Sequence, residues 1–183
     1  MLLIHPLFDL RLQFFLDFND LQGDKAVFSL MERMGMKIIR DGNVTTVRRD
    51  GPLVAAELDL NATPDALPAI AVAAAFAKGT TRIYNVAQAR IKETDRIACM
   101  TRELRRFGVR IEEEPDGMII HAGTEVHGAA CRSYKDHRIA MALAIAGLGA
   151  VGETIIRDAE CVNVTYPRFI DDFNALGARF RVF

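Results

Sequence analysis

The sequence predicts a mixed α/β fold built from three repeats with pseudo-threefold packing. Three amphipathic helix patterns each end in a glycine and continue directly into a strand pattern, and these glycines, Gly35, Gly108 and Gly177, recur about every 70 residues. Two further helix patterns are apolar on all sides, and Gly79 and Gly152 follow them at a similar interval. The chain has 183 residues, of which half are apolar and 26% are charged, so it is long enough to bury a core. We expect each repeat to contain a buried helix, a strand, an amphipathic helix and a hairpin.

The first repeat is predicted to be incomplete. Apolar residues alternate over residues 10–18, as in a strand, and residues 27–34 carry an amphipathic helix pattern that Gly35 ends. A strand over 36–40 and the turn residues Asp41-Gly42-Asn43 then predict a hairpin. No wholly apolar helix pattern precedes these elements, so we expect the chain to begin within a repeat and to leave apolar surface uncovered.

The second repeat contains every predicted element. Residues 66–77 form an apolar helix pattern, which is predicted to be buried on every side because it has no polar face, and a strand over 80–86 follows. The amphipathic helix over 97–107 leads into a strand over 109–113. Turn residues Pro115-Asp116-Gly117 predict a second hairpin.

The third repeat has the same order of patterns. A second wholly apolar helix over 139–148 is followed by a strand over 153–158. Pro167 suits the first position of an amphipathic helix whose apolar stripe runs from Phe169 to Leu176, and a strand is predicted over 178–182.

Composition and charge exclude several classes of protein. The 23 basic and 24 acidic residues give a formal net charge of −1, which provides no overall field to attract nucleic acid or an anionic membrane. No apolar run reaches the roughly 18 residues of a membrane span, and residues 1–8 lack the basic start of a signal peptide. Cys99, Cys131 and Cys161 are too widely spaced to indicate a disulfide framework or a zinc site, so a reducing cytoplasm is expected.

Three polar clusters stand directly before predicted helices, at residues 61–65, 90–96 and 133–138. In a repeat fold, equivalent helix starts lie on one face. Helix N-termini offer free N–H groups and a positive dipole end, and lysine and arginine beside them add full charges. The sequence therefore predicts a site for a multiply charged anion on this face.

The same residues also have ordinary structural explanations. Asp65, and either Thr94 or Asp95, are good N-caps. Arg96 has helical spacing to Glu93, so these two could form a solvated surface pair.

The start of the helix at 139–148 is harder to explain in this way. His137 taken alone could be a partly buried structural imidazole. A charged residue such as Arg138, placed directly before an apolar helix, contributes little to stability unless it contacts a ligand or an acidic side chain. The occurrence of His137 and Arg138 together before this helix therefore favours the anion site.

Four short segments carry a resemblance to a known family, in that family's order. The segments are Leu21-Gln22-Gly23-Asp24, Pro64-Asp65-Ala66, Lys92-Glu93-Thr94-Asp95-Arg96 and Asp136-His137-Arg138-Ile139-Ala140-Met141. They resemble motifs of the 5-enolpyruvylshikimate-3-phosphate synthase family, whose members transfer an enolpyruvyl group from phosphoenolpyruvate to shikimate 3-phosphate. The UDP-N-acetylglucosamine enolpyruvyl transferases share the fold. The segments that begin at Lys92 and at Asp136 favour the shikimate enzyme.

The resemblance implies a two-domain protein with its active site in the cleft between the domains. Each domain of the family has three βαβαββ-type repeats around buried parallel helices. Residues 19–183 look like the C-terminal domain, whereas residues 1–18 match poorly. The N-terminal partner domain, which binds most of shikimate 3-phosphate, is missing, so we expect the chain to carry half of an active site and to be inactive alone.

The resemblance also implies roles in catalysis for three residues. Asp65 would exchange a proton with the shikimate 5-hydroxyl, and Glu93 would protonate the methylene carbon of the enolpyruvyl group. Lys92 would face the shikimate phosphate ester ligand and the charge that develops during the reaction. No metal or organic cofactor is implied.

Four other residues are implied in binding substrate. Arg96 and Arg138 would hold phosphoenolpyruvate, with His137 nearby, and Gln88 stands where the family often has asparagine. One departure from the family is Val164, which replaces a lysine that some members carry.

Two further hypotheses stay open. A repeat α/β domain could serve as a binding module that recognises a phosphate-bearing partner such as RNA, although the near-neutral charge disfavours this. The other hypothesis is that the chain is a truncated gene product with no independent role. Nucleic-acid affinity that falls steeply with salt would favour the binding module.

Overall fold

The computed structural model describes residues 12–15, 23–42 and 44–182. Its strands are β1 (Leu12–Phe15), β2 (Met36–Asp41), β3 (Val44–Arg49), β4 (Glu57–Asp59), β5 (Thr80–Tyr84), β6 (Arg110–Glu114), β7 (Gly117–His121), β8 (Ala130–Arg132) and β9 (Ile155–Arg157). Its α-helices are α1 (Ala26–Arg33), α2 (Leu67–Ala75), α3 (Arg96–Arg106), α4 (His137–Gly149) and α5 (Phe169–Ala175). Short 3-10 turns lie at Gly23–Lys25, Pro64–Ala66, Ala87–Ile91 and Ala159–Val164.

The strands of the described residues form three sheets, one for each predicted repeat. Their orders are β1-β3-β2, β4-β5-β7-β6 and β8-β9. β2 with β3 and β6 with β7 are the two predicted antiparallel hairpins. β4 is parallel to β5 across α2, and β8 is parallel to β9 across α4, as helix crossovers require. The mixed α/β repeat fold is therefore confirmed.

The predicted strand over residues 10–18 is observed only in part. β1 covers Leu12–Phe15 and pairs with β3 in antiparallel register, Leu12 opposite Val47. The rest of the predicted strand lies outside the described residues.

The glycines that were predicted to end α1, α3 and α5 do so. Gly35, Gly108 and Gly177 follow the last turns of these helices with φ angles from +85° to +99°. Gly79 and Gly152 also have positive φ, but they lie four and three residues beyond the ends of α2 and α4. This left-handed conformation is costly for residues with a Cβ atom.

α2, α3 and α4 pack against one another at the centre of the molecule. Leu67 and Ile70 of α2, Leu104 of α3, and Ile139 and Leu143 of α4 are among the side chains with at most 1% exposure. These side chains and the inner faces of the sheets form one main core. Within the described residues, no helix is long and apolar enough to cross a membrane.

The prediction that α2 and α4 are buried on every side is wrong. Ala69 and Phe76 at α2 and Ile145 of α4 are exposed, and Phe76 and Ile145 each keep 37% of their surface accessible. Between the two helices runs an apolar groove that Pro68 and Met141 help to line. In the described part of the chain, no third apolar helix covers this side, in agreement with the uncovered surface expected from an incomplete first repeat.

The predicted strand over 178–182 is also wrong. Asn174 of α5 holds this segment by two hydrogen bonds. Its side chain accepts the N–H of Phe180 at 2.8 Å and donates to the Phe180 carbonyl at 3.1 Å. The Phe180 ring stacks on Phe169 at 5.9 Å. A strand needs a neighbour for its hydrogen bonds, and none of the described residues pairs with this segment. Leu176, predicted to lie on the apolar stripe of α5, is 72% exposed.

Candidate active site

The three polar clusters meet at the starts of α2, α3 and α4, as predicted. Asp65 lies in the 3-10 turn before α2, Glu93 precedes α3, and Asp136 precedes α4. One side chain, Arg96 at the start of α3, contacts all three carboxylates. The helix starts therefore share a single site.

Arg96 is the centre of this site. Its side chain is only 1% exposed, and its guanidinium donates to Asp65 at 2.8 Å, to Asp136 at 2.8 Å and to Glu93. Burial on its own would lower the pKa of Arg96, but the hydrogen bond to Asp136 and the charges of the three carboxylates raise it above its usual value. The buried guanidinium is therefore protonated and fully paired, as a buried charge must be.

Three cations contact the carboxylate of Asp65. Besides Arg96, the Lys92 ammonium lies 3.2 Å and the Arg138 guanidinium 3.1 Å from its carboxylate oxygens. Burial on its own would raise the pKa of Asp65, but the hydrogen bond from Lys92 and the charges of the three cations hold it below its usual value. At neutral pH Asp65 is an ionised hydrogen-bond acceptor.

Sequence reasoning did not select Asp136 as a site residue. Asp136 is fully buried, caps α4 by accepting the N–H of Arg138 at 2.9 Å and of Ile139 at 3.3 Å, and accepts from the Thr94 hydroxyl at 3.2 Å. An aspartate directly before a wholly apolar helix was the available signal. It caps the helix and orients Arg96 at the same time.

The N-cap explanation is right for Asp95 and wrong for Asp65. The Asp95 side chain accepts the N–H of Ala98 at 2.9 Å at the start of α3. The N-cap of the turn that contains Asp65 is instead Thr63, and the carboxylate of Asp65 faces the cations.

Arg90 positions the loop that leads into α3 and was also missed by sequence reasoning. It donates to the carbonyls of Pro115 at 2.7 Å and Glu114 at 2.6 Å in the β6–β7 hairpin, and to Asp95 at 2.8 Å. The loop between Arg90 and Asp95 contains Lys92 and Glu93. The hairpin thus supports both side chains through Arg90.

The remaining predicted residues lie around this centre. His137 Nδ1 is 4.0 Å from Glu93 Oε1. Gln88 donates to the carbonyl of Asn61 at 3.2 Å and to its side-chain oxygen at 3.1 Å, so it contacts the polar segment 61–65 that contains Asp65. Val164 is 78% exposed at the end of the 3-10 turn Ala159–Val164.

We call the six residues with opposed charges at this site the charge cluster. Its members are Asp65, Lys92, Glu93, Arg96, Asp136 and Arg138. Three cations balance three carboxylates, so the cluster is formally neutral. Arg96 and Asp136 are buried, whereas Lys92, Arg138 and Glu93 reach solvent. The open side thus offers two cations for binding an anion and one carboxyl group for proton transfer.

No metal centre is indicated in the described ranges. There, no group of three or more histidine, cysteine, aspartate or glutamate side chains is arranged to hold a metal ion.

The fold and this site define an enolpyruvyl transferase-like domain. The structure superposes on EPSP synthase from Acinetobacter baumannii with a TM-score of 0.76 and 27% identity, over 84% of this chain and 39% of that chain. It superposes on the enolpyruvyl transferase NikO from Streptomyces tendae with a TM-score of 0.73, over 86% of this chain and 36% of that chain. The 24% identity of the second pair supports the fold alone.

Sequence comparison gives the family. The family model for EPSP synthase (3-phosphoshikimate 1-carboxyvinyltransferase) matches residues 16–173. The 3-phosphoshikimate 1-carboxyvinyltransferase of Ruminiclostridium cellulolyticum is 50% identical over 167 residues, which are 91% of this chain and 39% of that relative. The chain belongs to the EPSP synthase family. It spans 38 to 39% of the length of two curated relatives that it matches, those of Ruminiclostridium cellulolyticum and Acetivibrio thermocellus.

Proposed function

We propose that this chain supplies the phosphoenolpyruvate side of a 3-phosphoshikimate 1-carboxyvinyltransferase site. The supporting observation is the convergence of Lys92, Arg96 and Arg138 on the one carboxylate of Asp65. Such an arrangement suits a compact, multiply charged anion. On this proposal residues 19–183 are the C-terminal domain of the enzyme, and an N-terminal domain provides most contacts to shikimate 3-phosphate.

Binding of phosphoenolpyruvate would change the state of Asp65. The ligand's phosphate and carboxylate would take over Lys92 and Arg138, while Arg96 would remain oriented by Asp136. Asp65 would then lose interactions that hold its pKa down, and its proton affinity would rise. Anion binding would in this way prepare Asp65 to accept the proton of the shikimate 5-hydroxyl.

The reaction follows from proton transfers by two carboxyl groups. Glu93, whose side chain is 50% exposed, donates a proton to the methylene carbon of phosphoenolpyruvate, and the neighbouring carbon becomes oxocarbenium-like. The 5-hydroxyl oxygen adds to that carbon and its proton goes to Asp65. The tetrahedral intermediate then loses phosphate, which takes the hydroxyl proton from Asp65. The new methyl group returns a proton to Glu93, which restores the vinyl double bond, and both carboxyl groups regain their starting states. Lys92 stabilises the negative charge of the departing phosphate.

Two residues support these steps. His137 lies beside Glu93, where it can adjust the position of the carboxyl group. Gln88 lies next to Asn61 at the edge of the site, and it would contact substrate there. The proposal requires no metal or organic cofactor.

The reaction belongs to the shikimate pathway, which leads through chorismate to the aromatic amino acids. We place it in the cytoplasm. The free thiols of Cys99, Cys131 and Cys161 fit a reducing compartment.

The test measures phosphate release from phosphoenolpyruvate and shikimate 3-phosphate. We expect no release by this chain alone, and release when the remaining part of a full-length relative is added. Turnover by the isolated chain that is lost on Glu93→Ala would refute the two-domain proposal. Failure of the complemented protein to bind either substrate would refute the function itself.

Arg138 and Arg132 form a matched pair of variants for the binding site. In the complemented protein, Arg138→Ala should weaken phosphoenolpyruvate binding by at least about 1.5 to 3 kcal/mol in calorimetry, the contribution of a hydrogen bond to a charged group. Arg132 is exposed and pairs with Asp158 outside the charge cluster, so Arg132→Ala should leave the affinity unchanged. Equal effects of the two variants would remove Arg138 from the site.

A further inference from the structure

The turn between β8 and α4 has an unfavourable backbone conformation. Tyr134 has a φ angle of +58° and Lys135 one of +62°, a region that residues other than glycine rarely adopt. Asp136 and Arg138, two members of the charge cluster, follow directly. A turn that positions both of them therefore requires contacts that stabilise it.

Glu103 provides such contacts from α3. It is fully buried. One of its carboxylate oxygens accepts a hydrogen bond from the Tyr134 hydroxyl, and the other accepts the backbone N–H of Arg132 at 3.2 Å. Arg106 lies 3.3 Å from the second oxygen and balances the charge. Glu103 therefore fixes the strand end and the turn to the same helix.

The position of Glu103 on α3 connects it to the site. Glu103 and Arg96 are seven residues apart and so lie on one face of the helix. Arg96 bonds to Asp136 at 2.8 Å, and Glu103 bonds to Tyr134 two residues earlier. One helix face thus contacts the turn at two points. Beyond the turn, Arg138 reaches Asp65 at 3.1 Å.

A second contact limits the motion of the Tyr134 ring. The guanidinium carbon of Arg102 lies 5.9 Å from the ring centroid, and the guanidinium also donates to the Tyr134 hydroxyl at 3.4 Å. Tyr134 is therefore held at its face and at its hydroxyl group. Both contacts come from α3.

We propose that Glu103 and Tyr134 are positioning residues of the charge cluster. Their hydrogen bond keeps the turn left-handed, so that Asp136 stays in contact with Arg96. The consequence for catalysis rests on the proposed function, whereas the positioning of Arg96 does not. The alternative is that the pair stabilises the core without affecting the charge cluster.

The test follows the Arg96 Nε–H by NMR hydrogen exchange in the chain as it is. In Tyr134→Phe this proton should exchange about tenfold faster, because the turn loses a hydrogen bond and releases Asp136 more often. Tyr166→Phe is the matched control. It removes a hydroxyl that donates to Asp172 at a distance of 3.0 Å, and this hydrogen bond lies outside the charge cluster. The control should leave the exchange of the Arg96 proton unchanged.

A rescue variant separates positioning from general stability. Glycine adopts positive φ without steric cost, so adding Lys135→Gly to Tyr134→Phe should return the Arg96 exchange towards its original rate. Unchanged exchange in Tyr134→Phe, or no rescue by Lys135→Gly, would overturn the proposal. If Tyr134→Phe does not fold, Glu103→Gln, which keeps one acceptor oxygen, is measured in the same way with the same expected direction. No ligand is used, so failure here is distinct from failure of phosphoenolpyruvate binding.

Discussion

Among the individual residues, Asp65 shows how distant partners determine the properties of a motif residue. Sequence reasoning selected Asp65, Lys92 and Arg138, and the structure brings them together. It did not predict that three cations would surround one carboxylate, because Arg96 lies 31 residues from Asp65 along the chain. Contacts of this kind are determined by tertiary packing, and a sequence pattern does not record them.

Replacement of Asp65 by asparagine should change the acid side of the stability profile. The pKa of Asp65 is below its usual value of 3.8, so the folded chain binds this proton less readily than the unfolded chain does. The stabilisation from Asp65 is therefore complete above about pH 5 and is lost as the pH falls through the folded pKa. Urea unfolding of the original chain and of Asp65→Asn can be measured from about pH 7 to about pH 2. The difference between their free energies of unfolding should become smaller as the pH falls. A difference that stays constant or widens would contradict this assignment.

Among the elements, the helices and longer strands were predictable because their signals are local. Apolar spacing and the glycine ends predicted the helices, and turn residues predicted both hairpins. β4 and β8 were missed because each has three residues, too few to show the alternation of a strand, and neither follows a helix pattern and glycine as the equally short β9 does. The segment 178–182 has the composition of a strand but lacks a neighbour among the described residues, so its environment overrides its propensity.

Gly108 offers a test of a helix end. Gly108→Ala should lower the free energy of unfolding by about 1 to 2 kcal/mol, because its φ of +85° is unfavourable for a residue with a Cβ atom. Crowding is not the cause, since the nearest atoms to an added Cβ, in Glu125 and His127, lie 3.8 and 3.9 Å away. Gly51→Ala is the matched control, because a Cβ there meets nothing within 4 Å and φ lies outside the left-handed region. Equal losses in urea unfolding would refute the backbone explanation.

At the level of the whole molecule, the described repeats share one main core. Buried side chains from α1 to α4 and from the sheets form a single cluster, whereas Phe169 of α5 belongs to a smaller cluster with Ala140 and Val162. The repeat plan was predictable from the intervals between glycines. The groove between α2 and α4 was not located from the sequence, because both helices are apolar on all sides and their patterns do not show which side lacks a neighbour.

The cysteines report whether this core opens as one unit. Cys131 is 1% exposed and burial raises its pKa to about 12, and burial also raises the pKa of Cys99. Because the thiolate is the reactive form, both should react with iodoacetamide only when the core opens, and at equal rates. The partly exposed Cys161 should react first. Mass spectrometry at rising reaction times measures the three rates. Faster labelling of Cys131 than of Cys99 would show that the third repeat opens separately.

The position of Arg96 also imposes an order on folding. Its partners Asp65 and Asp136 lie 31 residues before it and 40 residues after it, so the hydrogen bonds of the guanidinium are complete only after the starts of α2 and α4 have both docked on α3. Contacts between such distant residues form late, since loop closure costs entropy before any contact is gained. An intermediate that buries α3 against one neighbour would leave part of the buried guanidinium without a hydrogen-bond acceptor, and that penalty disfavours it. We therefore expect the charge cluster to suppress half-assembled states and to couple the completion of the site to the completion of the fold.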